Sequence, residues 1–189
     1  MTATMVNIPV EILDFSDKNL FYYLFVISND KKLINSYIID SENVLNKKTK
    51  QILNDVHTSK GIAYFHINRR HKKKIFFTIN KLLAEYMFDI DNCFQKTKKI
   101  FEIACSNSNN EPKESKKWIF HLKNYYAYKA IINYLSENNI LIYHKSFEDS
   151  IIITKPFNLK EFKQNIDIYS DHYILEQDGC LKLFYNDSI

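Results

Sequence analysis

The side chains of this chain best suited to chemistry are cations and amides crowded into one stretch. Residues 41–74 hold Lys47, Lys48, Lys50, Lys60, Arg69, Arg70, Lys72, Lys73 and Lys74 against only Glu42 and Asp55, a net charge of +7. The whole chain carries +4, and residues 137–189 carry −4 from nine carboxylates and five lysines. A mildly basic average therefore hides a basic segment on an otherwise acidic chain. Neutralising phosphates with Lys and Arg supplies the sequence-independent part of nucleic-acid affinity, and segregated charge is the trace that such binding leaves in a sequence. Asparagine adds readout, because its amide pairs bidentately with adenine, while lysine reaches guanine. Asn43, Asn46, Lys47, Lys50 and Asn54 carry those groups. Of 26 basic residues only Arg69 and Arg70 are arginine. With the abundant Ile, Asn, Tyr and Phe, this skew points to an A+T-rich genome such as that of a plasmid, phage, virus or parasite. Against that background an adjacent arginine pair is informative.

Other chemistries find little support. The chain has only two glycines, Gly61 and Gly179, too few for phosphate-cradling loops that need close backbone approach. A Walker loop and a dinucleotide-binding fingerprint are excluded on that ground. Cys93, Cys105 and Cys180 are odd in number and widely spaced, which favours neither a disulfide framework nor a zinc site. The six histidines show no metal-ligand spacing. No metal and no cofactor is expected. The start, Met1 to Asn7, lacks a basic, apolar leader pattern, and the longest apolar run, Leu20–Ile27, is far short of the ~20 residues of a membrane span. A cytoplasmic protein with no membrane partner is the expectation, or a nuclear one in a eukaryote.

These side chains need elements to position them. Ser16-Asp17 ahead of Leu20–Ile27 predicts a helix to about Ser28, and a second short helix is read over Lys31–Ile39. Asp40-Ser41 caps a third, ending near His57, with Leu45, Ile52 and Val56 on its inner face and the asparagines and lysines opposite. Ile62–Ile67 and Ile75–Ile79 favour strands, so Asn68 to Lys74 becomes the exposed tip of a hairpin. Helices follow over about Asn80–Phe88 and Asp91–Cys105. Ser106–Glu114 has linker composition. A long helix is read from Ser115 to Glu137, with Trp118, Leu122, Tyr125, Ile132 and Leu135 as its apolar stripe. Strands Ile140–Lys145 and Ser150–Thr154 come next, then a helix capped by Asn158. A last hairpin pairs Tyr173–Leu175 with Leu181–Tyr185 across Asp178-Gly179. The chain is thus expected to be α+β, with a basic domain over residues 1–105, a linker over 106–115, and a smaller helix-plus-β-hairpins domain over 116–189.

Helices followed by a basic-tipped hairpin, over roughly residues 15–80, resemble the winged-helix DNA-binding fold. The looser echo at 116–154 resembles the tandem arrangement of some plasmid replication initiators. The resemblance implies that Asn43, Asn46, Lys47, Lys50 and Asn54 face the major groove, and that Arg69, Arg70, Lys72, Lys73 and Lys74 are wing contacts to phosphates. The second hairpin carries Glu148 and Asp149 at its tip, which favours protein over DNA as its partner. The expected function is DNA binding in replication initiation or transcription control, with 116–189 mediating dimerisation or partner binding. It requires the third helix and the basic tip to form one contiguous electropositive surface.

Two other classes compete. One is a protein-interaction or host-modulating factor without nucleic-acid affinity. The other is a metal-dependent nicking enzyme resembling rolling-circle initiators and relaxases, which hold a metal on a His-hydrophobic-His strand and attack phosphate with a helical tyrosine. Here His66-Ile67-Asn68 replaces the second histidine by asparagine, and Tyr126-Ala127-Tyr128-Lys129 stands in a chain with 13 tyrosines. The structural reading, with Tyr125 packed inward and Tyr126 and Tyr128 on the helix flank, is favoured.

Overall fold

The computed structural model describes residues 4–5, 8–88, 99–145 and 151–185. They form two compact units, with the chain passing between them at 7/8, 13/14, 113/114 and 180/181. Both units are mixed α+β, each with one antiparallel sheet.

The first unit contains β1 (Thr4–Met5), β2 (Leu20–Ile27), β3 (Leu33–Ile39), α1 (Glu42–Ser59), β4 (Ile62–His66), β5 (Arg70–His71), α2 (Lys72–Tyr86) and α3 (Ile100–Ser106). Its sheet runs in the order β1, β10, β4, β2, β3, with β5 also on β2; β10 is Cys180–Tyr185. The segment Leu20–Ile27, expected as a helix, is the central strand. An unbroken apolar run of eight residues is what a strand covered on both faces requires, and periodicity alone does not separate it from a buried helix. Tyr22, Leu24 and Val26 pair with Ile39, Tyr37 and Asn35 of β3 on one face. Asp55 of α1 binds Asn35 and Tyr37, which sets α1 over that face. Phe21 and Tyr23 point the other way, into a core with Ile75 of α2 and Ala104 and Cys105 of α3. The helix expected over Lys31–Ile39 is β3, joined to β2 by a tight turn in which Lys31 has φ 59°. The order helix–helix–helix–hairpin is therefore replaced by strand–strand–helix–strand.

The strand expected over Ile75–Ile79 belongs to α2. His71 caps it through Nδ1, which accepts from the Lys73 N–H at 3.2 Å. Ile75 is buried and Ile79 packs on the same core one turn later. The Ser/Asn-rich stretch after α3 is built into this unit. Asn110 and Glu111 are buried, and the Asn110 amide donates to Ala104 O at 2.8 Å. The part of the helix expected over Asp91–Cys105 that precedes residue 99, and the turn Ser146–Asp149 with Glu148 and Asp149, lie outside the described residues.

The second unit contains β6 (Trp118–Leu122), α4 (Tyr125–Glu137), β7 (Leu141–His144), β8 (Ile151–Thr154), α5 (Leu159–Ile166) and β9 (Tyr173–Glu176). Its sheet order is β7, β8, β6, β9, antiparallel throughout. This is the β-α-β-β-α-β order of a split βαβ sheet, with its first strand between the third and the fourth. The single helix expected over Ser115–Glu137 is two elements. Asn124 breaks it, its Oδ1 accepting from Tyr126 N at 2.7 Å and Ala127 N at 3.4 Å as the cap of α4. Phe120 and Leu122 pack with Ile131 and Leu135 of α4, Ile152 of β8, and Phe162 and Ile166 of α5. The expected terminal hairpin does not form. β9 pairs with β6, whereas β10 joins the sheet of the first unit.

No helix among the described residues is long and apolar enough to cross a membrane.

Candidate nucleic-acid interface

Helix α1 presents the expected groove-facing set together. Its start follows from Ser41, whose Oγ accepts from Val44 N at 3.3 Å, and its inner face from Ile52 and Val56, both fully buried. Asn43, Asn46, Lys47, Lys50 and Asn54 are all exposed, at positions that share the opposite face of a 3.6-residue helix. The carboxylate in the C-terminal part of the helix, Asp55, is turned away from them. Asp55 accepts from Asn35 Nδ2 at 3.0 Å and from the Tyr37 hydroxyl. Burial and that carboxylate together push the Tyr37 hydroxyl pKa far above its ordinary value. Lys48 lies toward β3, with its ammonium 6.0 Å from the Tyr37 ring centre.

The arginine pair does something else. Arg70 is fully buried. Its Nη1 donates to Glu111 Oε1 and Asn68 O, both at 3.1 Å, its Nε to Cys105 O, and its Nη2 meets His66 Nδ1 at 3.2 Å. Arg69, 5% exposed, is held by Asp14, through the carboxylate at 2.7 Å and the carbonyl at 2.9 Å. Neither guanidinium is offered to a phosphate. Both brace the chain between β4 and β5, where a buried cation requires a paired anion and filled donors. The wing assignment is corrected on that ground. Lys72 is exposed but pairs with Asp40 at 3.2 Å. Lys74 donates to the carbonyls of Asn109 at 3.3 Å and Glu111 at 3.2 Å. Lys73 remains exposed, its ammonium 6.0 Å from the Phe77 ring centre.

The contiguous basic surface is likewise not formed. Helix α1 lies over the Tyr22–Leu24–Val26 face of the sheet, and the core side of α2 lies against the Phe21–Tyr23 face. The two halves of the basic stretch are thus carried on helices packed on opposite faces of the sheet, and Lys72, which reaches Asp40 just ahead of α1, is paired there with a carboxylate.

The nicking constellation does not assemble as a metal site. His66 is 7% exposed, stacked on Tyr23 at 5.7 Å and engaged by Arg70, and Asn68 is buried beside it. No group of three or more His, Cys, Asp or Glu among the described residues could hold a metal ion. Tyr126 is exposed on α4. Tyr128 bonds His144 Nδ1 at 3.1 Å and Lys145 O at 2.8 Å, and desolvation raises its pKa, the wrong direction for a nucleophile. Tyr125 is half-exposed rather than packed inward, because α4 begins at that residue and its buried stripe is Ala127, Ile131 and Leu135.

One feature escaped the sequence reading. On the α3 side of the first sheet lies a groove of about 950 Å³, bordered by Phe25, Lys31, Lys32, Lys99 and Glu102. Two of its lining residues, Phe25 and Tyr23, belong to a four-ring patch on that face of the sheet. Phe25 stacks on Tyr64 at 5.3 Å and on Tyr23 at 5.5 Å, and Tyr23 on His66 at 5.7 Å. The signal was present as alternate aromatics in both Tyr23/Phe25 and Tyr64/His66. It is readable only once Leu20–Ile27 is taken as a strand, since only then do these residues share a face.

No protein-family model matches this chain, and no curated protein or solved structure matches it.

Proposed function

We propose that the protein binds nucleic acid and that the outer face of α1 is its contact to duplex DNA. The observation that carries the reading is the composition of that face. Asn43, Asn46, Lys47, Lys50 and Asn54 stand together in solvent, while Asp55 is drawn to the sheet by Asn35 and Tyr37. A helix face offering amides and ammonium groups without an intervening carboxylate suits both phosphate contact and base-edge contact. The winged-helix element order and the single basic surface expected from the sequence give this reading no support, Arg69 and Arg70 have no part in it, and it rests on the outer face of α1 alone. A role in replication initiation or transcription control depends on this contact and stands or falls with it.

A gel-shift assay on a short duplex tests the reading. Lys47→Glu/Lys50→Glu is expected to weaken binding by at least roughly tenfold, since each reversal removes one phosphate contact and adds a repulsive charge. Unchanged binding refutes it.

A protein-interaction role has one specific observation in its favour. Phe76 and Phe77, adjacent on α2 with ring centroids 6.2 Å apart, are 61% and 60% exposed, and neighbouring exposed apolar side chains are the start of an interaction surface. Light scattering that shows an assembly lost on Phe76→Ser/Phe77→Ser would favour this reading.

A further inference from the structure

The groove beside α3 has a floor and a rim of different chemistry. The floor is apolar, with Phe25 as its open ring among Ile27, Leu33, Ile34 and Ile103. Phe25 is half-buried and flanked by Tyr64 and Tyr23, with interplanar angles of 16° and 26°. Below it Tyr23 is buried, edge-on to Phe101 at 5.9 Å, so the ring surface open to the groove belongs to Phe25. The rim is cationic. Lys31 and Lys32 come from the β2–β3 turn and Lys99 from the start of α3, against one lining carboxylate, Glu102. Lys31 is held in the left-handed region at φ 59°, a conformation disfavoured for a side chain with a Cβ. The turn that places it is fastened by Lys31 N to Ser28 O at 2.9 Å and Ser28 N to Lys32 O at 2.9 Å.

We infer that this groove is a binding site for single-stranded nucleic acid, with an unpaired base stacking on Phe25 and the backbone tracking Lys31, Lys32 and Lys99. Stacking platforms combined with a basic track are how proteins hold single strands without sequence preference. Phe25 lies in the groove between residues of the β2–β3 hairpin and of α3, so a base must be out of its pair to stack on it, which selects against duplex. Charge complementarity selects against a purely apolar occupant, because three ammonium groups border the opening. The inference is independent of the α1 proposal. It involves the other face of the sheet and a different ligand.

The test is fluorescence anisotropy with labelled oligothymidine, with a duplex and with poly-glutamate as comparison ligands. Wild-type protein is expected to bind oligothymidine, and a competing duplex should displace it poorly. Phe25→Leu keeps an apolar side chain on the floor but loses the ring, and should weaken binding roughly 5- to 150-fold, the range for one stacked base. Lys31→Ala/Lys32→Ala/Lys99→Ala should flatten the dependence of log affinity on log salt by about 2, three single-strand phosphate contacts at ~0.7 each. Lys47→Ala/Lys50→Ala should leave oligothymidine binding intact, so the two proposals fail separately. Equal affinity for poly-glutamate with Phe25→Leu silent would assign the groove to acidic polypeptides and overturn the inference. Unaltered oligothymidine binding in both the Phe25 and the triple-lysine variants would also overturn it.

Discussion

At the scale of single residues, the lesson lies in what became of the arginines. In a chain that otherwise uses lysine, the pair Arg69-Arg70 marks a site where planar, multi-donor geometry is needed. That need is internal. Arg70 organises His66, Asn68, Cys105 and Glu111 around one guanidinium. Arg70→Leu should therefore cost about 3–5 kcal/mol, because it leaves the Glu111 carboxylate buried without its main partner. Urea denaturation would measure this, and Arg70→Leu/Glu111→Leu should recover much of the loss. A single variant within about 1 kcal/mol of wild type would deny the brace. Cys105 sits beside the same guanidinium, yet burial dominates and pushes its thiol up from 9.0 to about 12, with Arg70 opposing and Glu102 reinforcing. A raised acid pKa means that the folded protein holds the proton longer. The associated stability is full below pH 9.0 and erodes as pH climbs toward about 12. Above pH 9.0 wild type should lose stability with pH more steeply than Cys105→Ala, by up to one proton's worth of slope. Parallel slopes would contradict this. A sequence shows that an arginine is present, but not the carboxylate 41 residues away that claims it.

At the scale of elements, legibility depended on whether local signals agreed with tertiary burial. Helix α1 was readable because cap, apolar face and stop all coincide. Its end shows why. Lys60 adopts φ 49°, and Gly61 N closes onto Val56 O at 2.9 Å. A Cβ at Gly61 would come within 2.3 Å of Ile27 O, a clash with backbone that cannot rotate away. Gly61→Ala should destabilise by about 1–3 kcal/mol, and thermal unfolding followed by circular dichroism would show it; an unchanged midpoint would mean that the turn relaxes freely. The first half of helix α2 was unreadable for the opposite reason, whereas its second half falls within the helix expected over about Asn80–Phe88. Lys72, Lys73 and Lys74 occupy its first turn, where the helix dipole disfavours cations, so local preference spoke against a helix start. Asp40 near Lys72 and the carbonyls around Lys74 compensate, and all come from distant sequence. Strand β2 misled because both of its faces are covered, which erases the alternation that identifies a strand. Trp118–Leu122 was absorbed into a long helix because the cap at Asn124 went unweighed.

At the scale of the whole molecule, net charge along the chain proved a poor map of charge in space. Of the nine cations between residues 41 and 74, Arg69, Arg70 and Lys72 meet carboxylates at Asp14, Glu111 and Asp40. All three of those lie outside that segment. The sheet then divides what is left between α1 and α2. The α+β class was legible from composition and element types. The topology was not, because β10 leaves the unit of its neighbour β9 to join the other sheet, a pairing fixed by long-range register rather than by the Asp-Gly turn. Of the site, the exposed face of α1 was legible and the groove by Phe25 was not. In the proposed contact, the charge that remains on α1 would govern how duplex binding responds to salt, since log affinity falls by about 0.9 per phosphate contact for each tenfold rise in salt. The direct test is that slope, measured from about 50 to 200 mM salt for wild type and for Lys47→Ala/Lys50→Ala. The account predicts a measurable duplex affinity whose slope becomes shallower by about 2 in the variant. Identical slopes, or a wild-type protein with no affinity for duplex at the lowest salt, would contradict it.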